Sequence, residues 1–226
     1  MSLILDLHVH SIYSRDAILS PEKIVKIAKI KGLSGVAVTD HETIRGAIKA
    51  KSVAFDGFVV ITGTELKTDK GEVIGLFIDE EIKSREFTEV TDEIRDQDGV
   101  IMLPHPYRNR LEDPKNLLKA VDLIKGLNAR IPKELNRKAQ YLAIDHGLPI
   151  VAGSDAHTPF EIGRARTIVP VSEASNIKDC LLSGEVMIEG RELSYPFRMF
   201  SVAIGKYKRD GVLGLLKTFS NKIMKK

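Results

Sequence analysis

Two histidines spaced two apart, His8 and His10, close an apolar run at residues 3–10. On a β-strand, side chains at i and i+2 share a face, so this strand would present two imidazoles side by side. Neutral imidazole is the commonest protein ligand for zinc and similar cations, and a pair on one rigid strand is half of a tetrahedral site. The other reading is two buried, hydrogen-bonded histidines, and a lone His-x-His leaves both open. Groups of the same kinds recur in comparable places. His41 ends the run 35–41 and Glu65 the run 57–65, His105 stands between Pro104 and Pro106 after the run 99–103, and Asp155 and His157, again two apart, follow the run at 149–153. Five of the six histidines thus sit at the ends of apolar runs, whereas histidines used only for packing or solubility would be scattered.

The elements that would position these groups alternate. Ser20 followed by Pro21 marks a helix start, with Ile24, Ile27, Ala28 and Ile30 as its buried side and Gly32 as its stop. Further helices are predicted over 43–53, 86–97, about 114–120, 132–146 and about 173–182, between strands at 3–10, 35–41, 57–65, 99–106, 121–128 and 149–157. The two prolines predict an extended backbone at His105. An extra strand at 71–79 is expected after a turn at 69–71, as a local hairpin. Strands alternating with helices imply parallel pairing through right-handed crossovers, and in a parallel barrel the C-terminal strand ends open on one face, where barrel enzymes keep their chemistry. That face would gather His8, His10, His41, Glu65, His105, Asp155 and His157, which predicts a metal site.

Bulk properties agree with a soluble globular chain. Its 226 residues suffice for one sizeable domain, and 43% hydrophobic with 29% charged residues is ordinary composition. No apolar run is long enough to cross a bilayer and the N-terminus lacks a basic start, so a cytoplasmic protein without a transmembrane segment is expected. The single cysteine, Cys180, cannot form an internal disulfide and reads as packing. A net charge of +3 is too small to require a nucleic-acid partner.

Taken together, His8-Val9-His10, Thr39-Asp40-His41, Glu65, Pro104-His105-Pro106 and Gly153-Ser154-Asp155-Ala156-His157 resemble the PHP family, named for polymerase and histidinol phosphatase, over residues 1 to about 190. The resemblance implies an α/β fold, a distorted (β/α)7 TIM-like barrel, with a centre of two or three divalent metal ions. Carried over residue by residue, it implies that His8, His10, Glu65 and Asp155 hold one ion, that Glu65 bridges to a second with His105, and that Asp16, His41 and His157 hold a third. A carboxylate can bridge two cations while its charge offsets their repulsion, which imidazole cannot do. Where the family often supplies another histidine after the bridging glutamate, this chain has Glu72, and Asn128 stands where some members place a stronger ligand. Mixed imidazole and carboxylate ligands suit zinc, manganese and iron alike. The implied activity is phosphoester hydrolysis by a metal-activated water, on a phosphomonoester, a nucleotide or a nucleic-acid end. The alternative is a non-catalytic barrel, metal-stabilised or RNA-binding, serving a larger assembly; the intact primary ligand set speaks for the enzyme.

Arg108 and Arg164 follow ligand-bearing strand ends and read as contacts to a substrate phosphate through a bidentate fork, whereas Arg166 reads as solvated surface. Asp6 would support a ligand from its own strand, and Asp40 would orient His41, bind water or cap the next helix. His146 at a helix end would offset the dipole. From residue 191 the chain reads as a basic C-terminal helical extension outside the 1–190 barrel. Phe197, Phe200, Val202 and Ile204 precede Lys206, Lys208 and Arg209, and the chain ends on Lys222, Lys225 and Lys226. A helix packed across the barrel with a solvated basic face accounts for this pattern, with nucleic acid, an anionic membrane surface or a subunit as its possible partners.

Overall fold

The hydroxyl of Ser20 accepts from Lys23 N at 3.3 Å and Pro21 opens the first helix, so the Ser-Pro pair starts α1 (Pro21–Ile30) as its chemistry dictates. Its buried residues are Pro21, Ile24, Val25 and Ala28. Ile30 differs from expectation: it is 73% exposed, because two residues turn the helix by about 200° and so carry it from Ala28 to the far side of the buried stripe. The computed structural model describes residues 2–108, 112–170 and 176–223, with side chains as far as Val212.

Along the chain, β1 (Ser2–Val9) and α1 are followed by β2 (Gly35–His41), α2 (Arg45–Ser52), the hairpin β3 (Val59–Thr68) and β4 (Gly71–Leu76), and α3 (Phe87–Asp96). Then come β5 (Val100–Leu103), a 3₁₀ helix (Pro114–Ala120), β6 (Leu123–Asn128), α4 (Lys133–Asp145) and β7 (Ile150–Gly153). The last elements are β8 (Ala165–Pro170), α5 (Ile177–Ser183), β9 (Met187–Gly190) and α6 (Tyr195–Ile223), which breaks at Gly211. The expected start of α5 at residues 173–175 lies outside the described residues.

One sheet holds nine strands rather than seven, in the order β7-β6-β5-β4-β3-β2-β1-β8-β9. Seven of them, β1, β2, β3, β5, β6, β7 and β9, run the same way, while β4 and β8 are antiparallel to both neighbours. The sheet nearly closes. His10 N donates to Ala156 O at 2.8 Å and Asp155 N to His8 O at 2.8 Å, joining the end of β7 to the end of β1. Thr167 of β8 accepts from Ala152 N and donates to Ala152 O, both at 2.9 Å, along the same seam. Gly153 permits this approach, since a Cβ there would lie 2.7 Å from both His8 N and His8 Cβ.

Leu5, Leu7, Ala37, Ile74, Met102 and Val151 are among the residues that fill the barrel interior. A second layer packs α1 and α2 on β1 and β2 through Ile24, Val25, Ala28, Val36, Val38 and Ala47. A third joins α3 and α4 to the far wall through Val90, Ile94, Ile101 and Leu142. Cys180 is buried, with its thiol 3.3 Å from Pro170 O. Among the described residues, no helix is long and apolar enough to cross a membrane.

Candidate metal centre

The register between β1 and β2 shifts between Asp6 and Val9, a bulge that re-aims the end of β1 toward the barrel mouth. There the Nε2 atoms of His8 and His10 lie 2.8 Å apart. Glu65 Oε2, carried by β3, is 3.3 Å from each, and Asp155 Oδ1, just past β7, is 3.7 and 3.5 Å from them. Four ligand atoms around one cation at about 2.0–2.2 Å would be about 3.3–3.6 Å apart, and the separations of this set bracket that span.

The other oxygen of Glu65 faces a second group. Its Oε1 lies 3.2 Å from His105 Nε2, and Glu72 at the start of β4 has Oε2 3.7 Å from His105 Nδ1. A third group forms where Asp16 Oδ1 is 3.6 Å from His41 Nε2 and 3.4 Å from His157 Nε2. The rings tie the groups together, with His10 stacked at 4.5 Å on His41 and 4.3 Å on His157. All eight residues carried over from the family motifs therefore meet at one mouth. Two of their buried atoms, Asp16 Oδ1 and His105 Nδ1, have no hydrogen-bond partner among the described residues. Buried lone pairs left without a donor fit a cation.

The backbone at two of these residues departs from a strand. His105 has φ +26° and Asp155 φ +60°, so the prolines around His105 do not hold it extended; the chain turns sharply out of β5 and swings the ring back over Glu65.

Around the ligand atoms lies a built support. Asp40 neither caps α2 nor touches the His41 ring. Its carboxylate accepts from Ser11 N at 2.7 Å, Ser11 Oγ at 2.6 Å and Ser14 Oγ at 2.6 Å. Ser14 Oγ spends its proton on Asp40 and accepts from His41 N, so His10 Nδ1, 3.1 Å away, must be the donor in their contact, which leaves Nε2 as the nitrogen that gives a lone pair to a cation when the ring is neutral. Gly46 makes room, since a Cβ would fall 1.8 Å from Asp40 Oδ2. Asp6 accepts from Ser154 N and Gly163 N, each at 2.8 Å, and so anchors the loop that carries Asp155 and His157. Glu161, fully buried, accepts from His157 N at 2.8 Å and Thr158 N at 2.9 Å. Asn128 is occupied on both sides of its amide, donating to Asp155 Oδ2 at 3.0 Å and accepting from Arg130 N at 2.8 Å.

Three cations face the carboxylates. Arg108 reaches Asp155 Oδ2 at 3.4 Å. Arg130 lies 3.7 Å from Asp155 Oδ1 and touches His157 Nδ1. Lys125, fully buried on β6, touches His8 Nδ1. Sequence reading passed over Lys125 and Arg130; the available signal was a lysine in the middle of the apolar run Leu123–Asn128, which a buried strand does not tolerate without a partner. Arg164 is not in this cluster. Its Nε lies 3.5 Å from Phe160 O, beside a separate groove.

Electrostatics record a surplus of negative charge. Burial alone would depress His10, but bonds to Asp155 and Glu65 outweigh it and lift the imidazole to about 10. Burial and then the Lys125 charge push His8 down to about 3, against Glu65 and Asp155. Burial favours protonation of Glu65 and Asp155, yet the surrounding histidines and cations hold both well below the carboxylate range. A proton on His10 thus stands where a metal cation would balance the same carboxylates.

The β1–α1 loop is held from outside by α6. Lys208 Nζ donates to Ile12 O at 2.9 Å and Ser14 O at 2.7 Å and also to Ala17 O, and a Cβ on Gly205 would lie 3.0 Å from Asp16 O. Arg209 joins Arg15, Arg45, Lys67 and Tyr13 around a cavity of 510 Å³ that opens on Asp16 and His41.

Comparison with known proteins agrees with this geometry. The PHP domain family model matches residues 6–121, and the PHP-associated model residues 133–186. Two uncharacterised proteins of Methanocaldococcus jannaschii are similar: one is 40% identical over 114 residues, covering 45% of this chain and 67% of the relative, the other 35% over 172 residues, covering 71% and 68%. A 5'-3' exoribonuclease of Haemophilus influenzae is 42% identical over 65 residues, covering 28% of this chain and 23% of that protein. Among solved structures, a two-domain protein of Bacteroides vulgatus containing a predicted PHP-like metal-dependent phosphoesterase aligns with TM-score 0.73 at 19% identity, covering 89% of this chain and 69% of that one. The lesion-specific endonuclease EndoQ of Pyrococcus furiosus aligns with TM-score 0.62 at 17% identity, covering 83% and 58%. With the PHP model spanning half of its length and an archaeal relative aligned over two thirds of both sequences, this chain belongs to the PHP domain family.

Proposed function

We propose that the protein is a metal-dependent phosphoesterase whose centre takes two or three divalent ions of the zinc, manganese or iron kind. The observation that carries this reading is the convergence of His8 Nε2, His10 Nε2, Glu65 Oε2 and Asp155 Oδ1 on one point, with Glu65 Oε1 turned toward His105. His8, His10, Glu65 and Asp155 would hold the first ion, Glu65, His105 and Glu72 the second, and Asp16, His41 and His157 the third. Divalent cations in such a centre supply Lewis acidity at phosphoryl oxygens and acidify a water.

The chain's own groups do the rest. Arg108, partly exposed and 3.4 Å from Asp155, can turn its fork to a non-bridging phosphate oxygen while staying close to the cluster. Lys125 is buried and Arg130 mostly so, and the two are committed to His8 and His157, so they fix those side chains rather than meet substrate. Arg15, Arg45 and Lys67 line the mouth beside Glu42 and Glu72, with Arg209 paired to Asp210 at 3.0 Å, and these three cations would meet negative charge of a substrate beyond the scissile phosphate. A nucleotide or a nucleic-acid end has that charge, and the exoribonuclease and endonuclease among the similar proteins act on such molecules.

The test is reconstitution of stripped protein with manganese, zinc or iron, elemental analysis, and a screen of phosphomonoesters, nucleotides and short oligonucleotides. Metal-dependent turnover is expected, with Asp155→Asn and His10→Ala lowering it at least about 100-fold. Stoichiometric metal with no turnover on any substrate would refute the hydrolase reading.

A further inference from the structure

A second cationic feature lies outside the metal centre. Lys31, Arg164, Arg166 and Arg191 line a groove of 760 Å³ together with Phe160 and a single acid, Glu189. Glu189 faces Arg166 in the β8–β9 register, yet none of the four cations has a carboxylate within ion-pair distance among the described residues. Cations brought together without counter-charge raise one another's energy. Burial, and then the charges of Arg164 and Arg166, lower the Lys31 pKa, with Asp6 and Glu161 opposing.

The groove is built, because its parts are fixed by the backbone. Lys31 Nζ spends its donors on Pro159 O, Phe160 O and Ile162 O at 3.0, 3.2 and 2.8 Å, so it shapes the wall and lends its charge without offering a free N–H. Arg166 Nε donates to Gly163 O at 2.7 Å, leaving both terminal nitrogens of its fork available. Gly190, at φ +140°, lets the end of β9 press on Arg164, where a Cβ would lie 2.2 Å from Arg164 O; Arg191 N then donates to that oxygen at 3.1 Å. Arg164 and Arg191 are thereby held as neighbours across the β8–β9 pair, and Arg166, two residues further along β8, lines the same groove.

Beside this wall stands an aromatic cluster. Phe160 meets Phe197 and Phe200 of α6 with ring centroids 5.8 and 6.1 Å apart, and the two α6 rings are 52% and 57% exposed. Exposed rings bordering unpaired arginines are the combination that holds bases and phosphates of a single strand.

We propose that this groove is a nucleotide-binding site separate from the metal centre, with a phosphate between Arg166 and Arg191 and a base on Phe197 and Phe200. The same unit could come from a free nucleotide or from a single-stranded oligonucleotide, and competition separates them. The full chain is kept in excess chelator, so metal and turnover do not enter, and binding of a labelled oligothymidylate is followed by fluorescence anisotropy. Arg166→Glu with Arg191→Glu should weaken binding about tenfold or more and flatten its salt dependence, by about 0.7 in slope for each phosphate no longer neutralised. Phe197→Ala with Phe200→Ala should weaken the oligothymidylate but not inorganic polyphosphate.

Competition by thymidine monophosphate at the strand's own affinity per nucleotide identifies a mononucleotide site; failure to compete identifies a strand site. Circular dichroism melts establish that each variant is folded. The proposal is overturned if both pairs of substitutions bind like the parent. It is equally overturned if Arg137→Glu with Lys138→Glu, exposed on α4, weakens binding as much, or if the phenylalanine substitutions change only self-association by gel filtration. Absence of phosphoesterase turnover leaves these readings untouched, so the two proposals fail separately.

Discussion

At the scale of single residues, the centre depends on groups that no ligand motif names. His10 presents Nε2 because Ser14 fixes its Nδ1, and Ser14 is itself fixed by Asp40. Removing the hydroxyl frees the ring to rotate and leaves its buried Nδ1–H without an acceptor. Ser14→Ala should therefore lower metal affinity about 10–100-fold, measured by competition with a chromogenic chelator. An unchanged affinity would mean that Ser14 merely fills space. That these side chains cluster was legible in the sequence because imidazoles and carboxylates at strand ends have few other reasons to be there; Asp16, in the loop after β1, was placed with them by the family resemblance alone. Lys125 and Arg130 were not, because charged residues are ordinarily solvated, and only the fold shows that both pack against His8 and His157. Arg164, read from its position after a strand end, faces the separate groove because the β7–β8 loop turns it away from the mouth.

At the scale of elements, the metal groups are aligned by close strand approach. The seam between β1 and β7 is the critical one, because it sets His8 and His10 against Asp155 and His157. Gly153 is its contact point. Gly153→Ala would drive a methyl to 2.7 Å from His8 N, and since backbone cannot yield as a flexible side chain does, the strands must separate. The expected cost is about 1–3 kcal/mol or more in urea unfolding, together with weakened metal binding. A variant as stable as the parent would show that the seam is loose. Most elements were readable: Ser20-Pro21 started α1, and the turn before Gly71 gave β4. The missed strands have physical reasons. β8 alternates buried and half-buried residues over only six positions, and β9 is a short, largely exposed edge, so neither offers a continuous apolar run. The segment Pro114–Ala120 winds as a 3₁₀ helix, a difference that apolar periodicity does not resolve in seven residues.

At the scale of the whole molecule, the charge balance at the mouth links metal, protons and folding. In metal-free protein, His10 is raised to about 10 from an ordinary 6.5, and His41 is also raised, by Asp16 and Glu65 against burial and His10. A raised group stabilises the fold below its unfolded pKa and loses that contribution as pH climbs through the folded value, so His10 and His41 erode stability on the alkaline side. His8 and His157 are lowered, the first by burial and Lys125, the second by burial, Arg130 and His10. Below pH 6.5 the unfolded chain takes up protons that these two refuse, so they erode stability on the acid side. The depressed carboxylates Asp16, Glu65 and Asp155 add to that loss only below about pH 4. Metal-free protein should therefore be most stable near pH 6–7. A divalent cation takes the place of the His10 proton and removes the alkaline loss, whereas in acid it must compete with protons for every ligand. The rise in melting temperature on adding manganese should accordingly be small at pH 5.5 and grow steadily toward pH 9, as followed by circular dichroism with and without chelator. A rise independent of pH, or largest in acid, would show that the cation binds elsewhere than among these imidazoles and carboxylates.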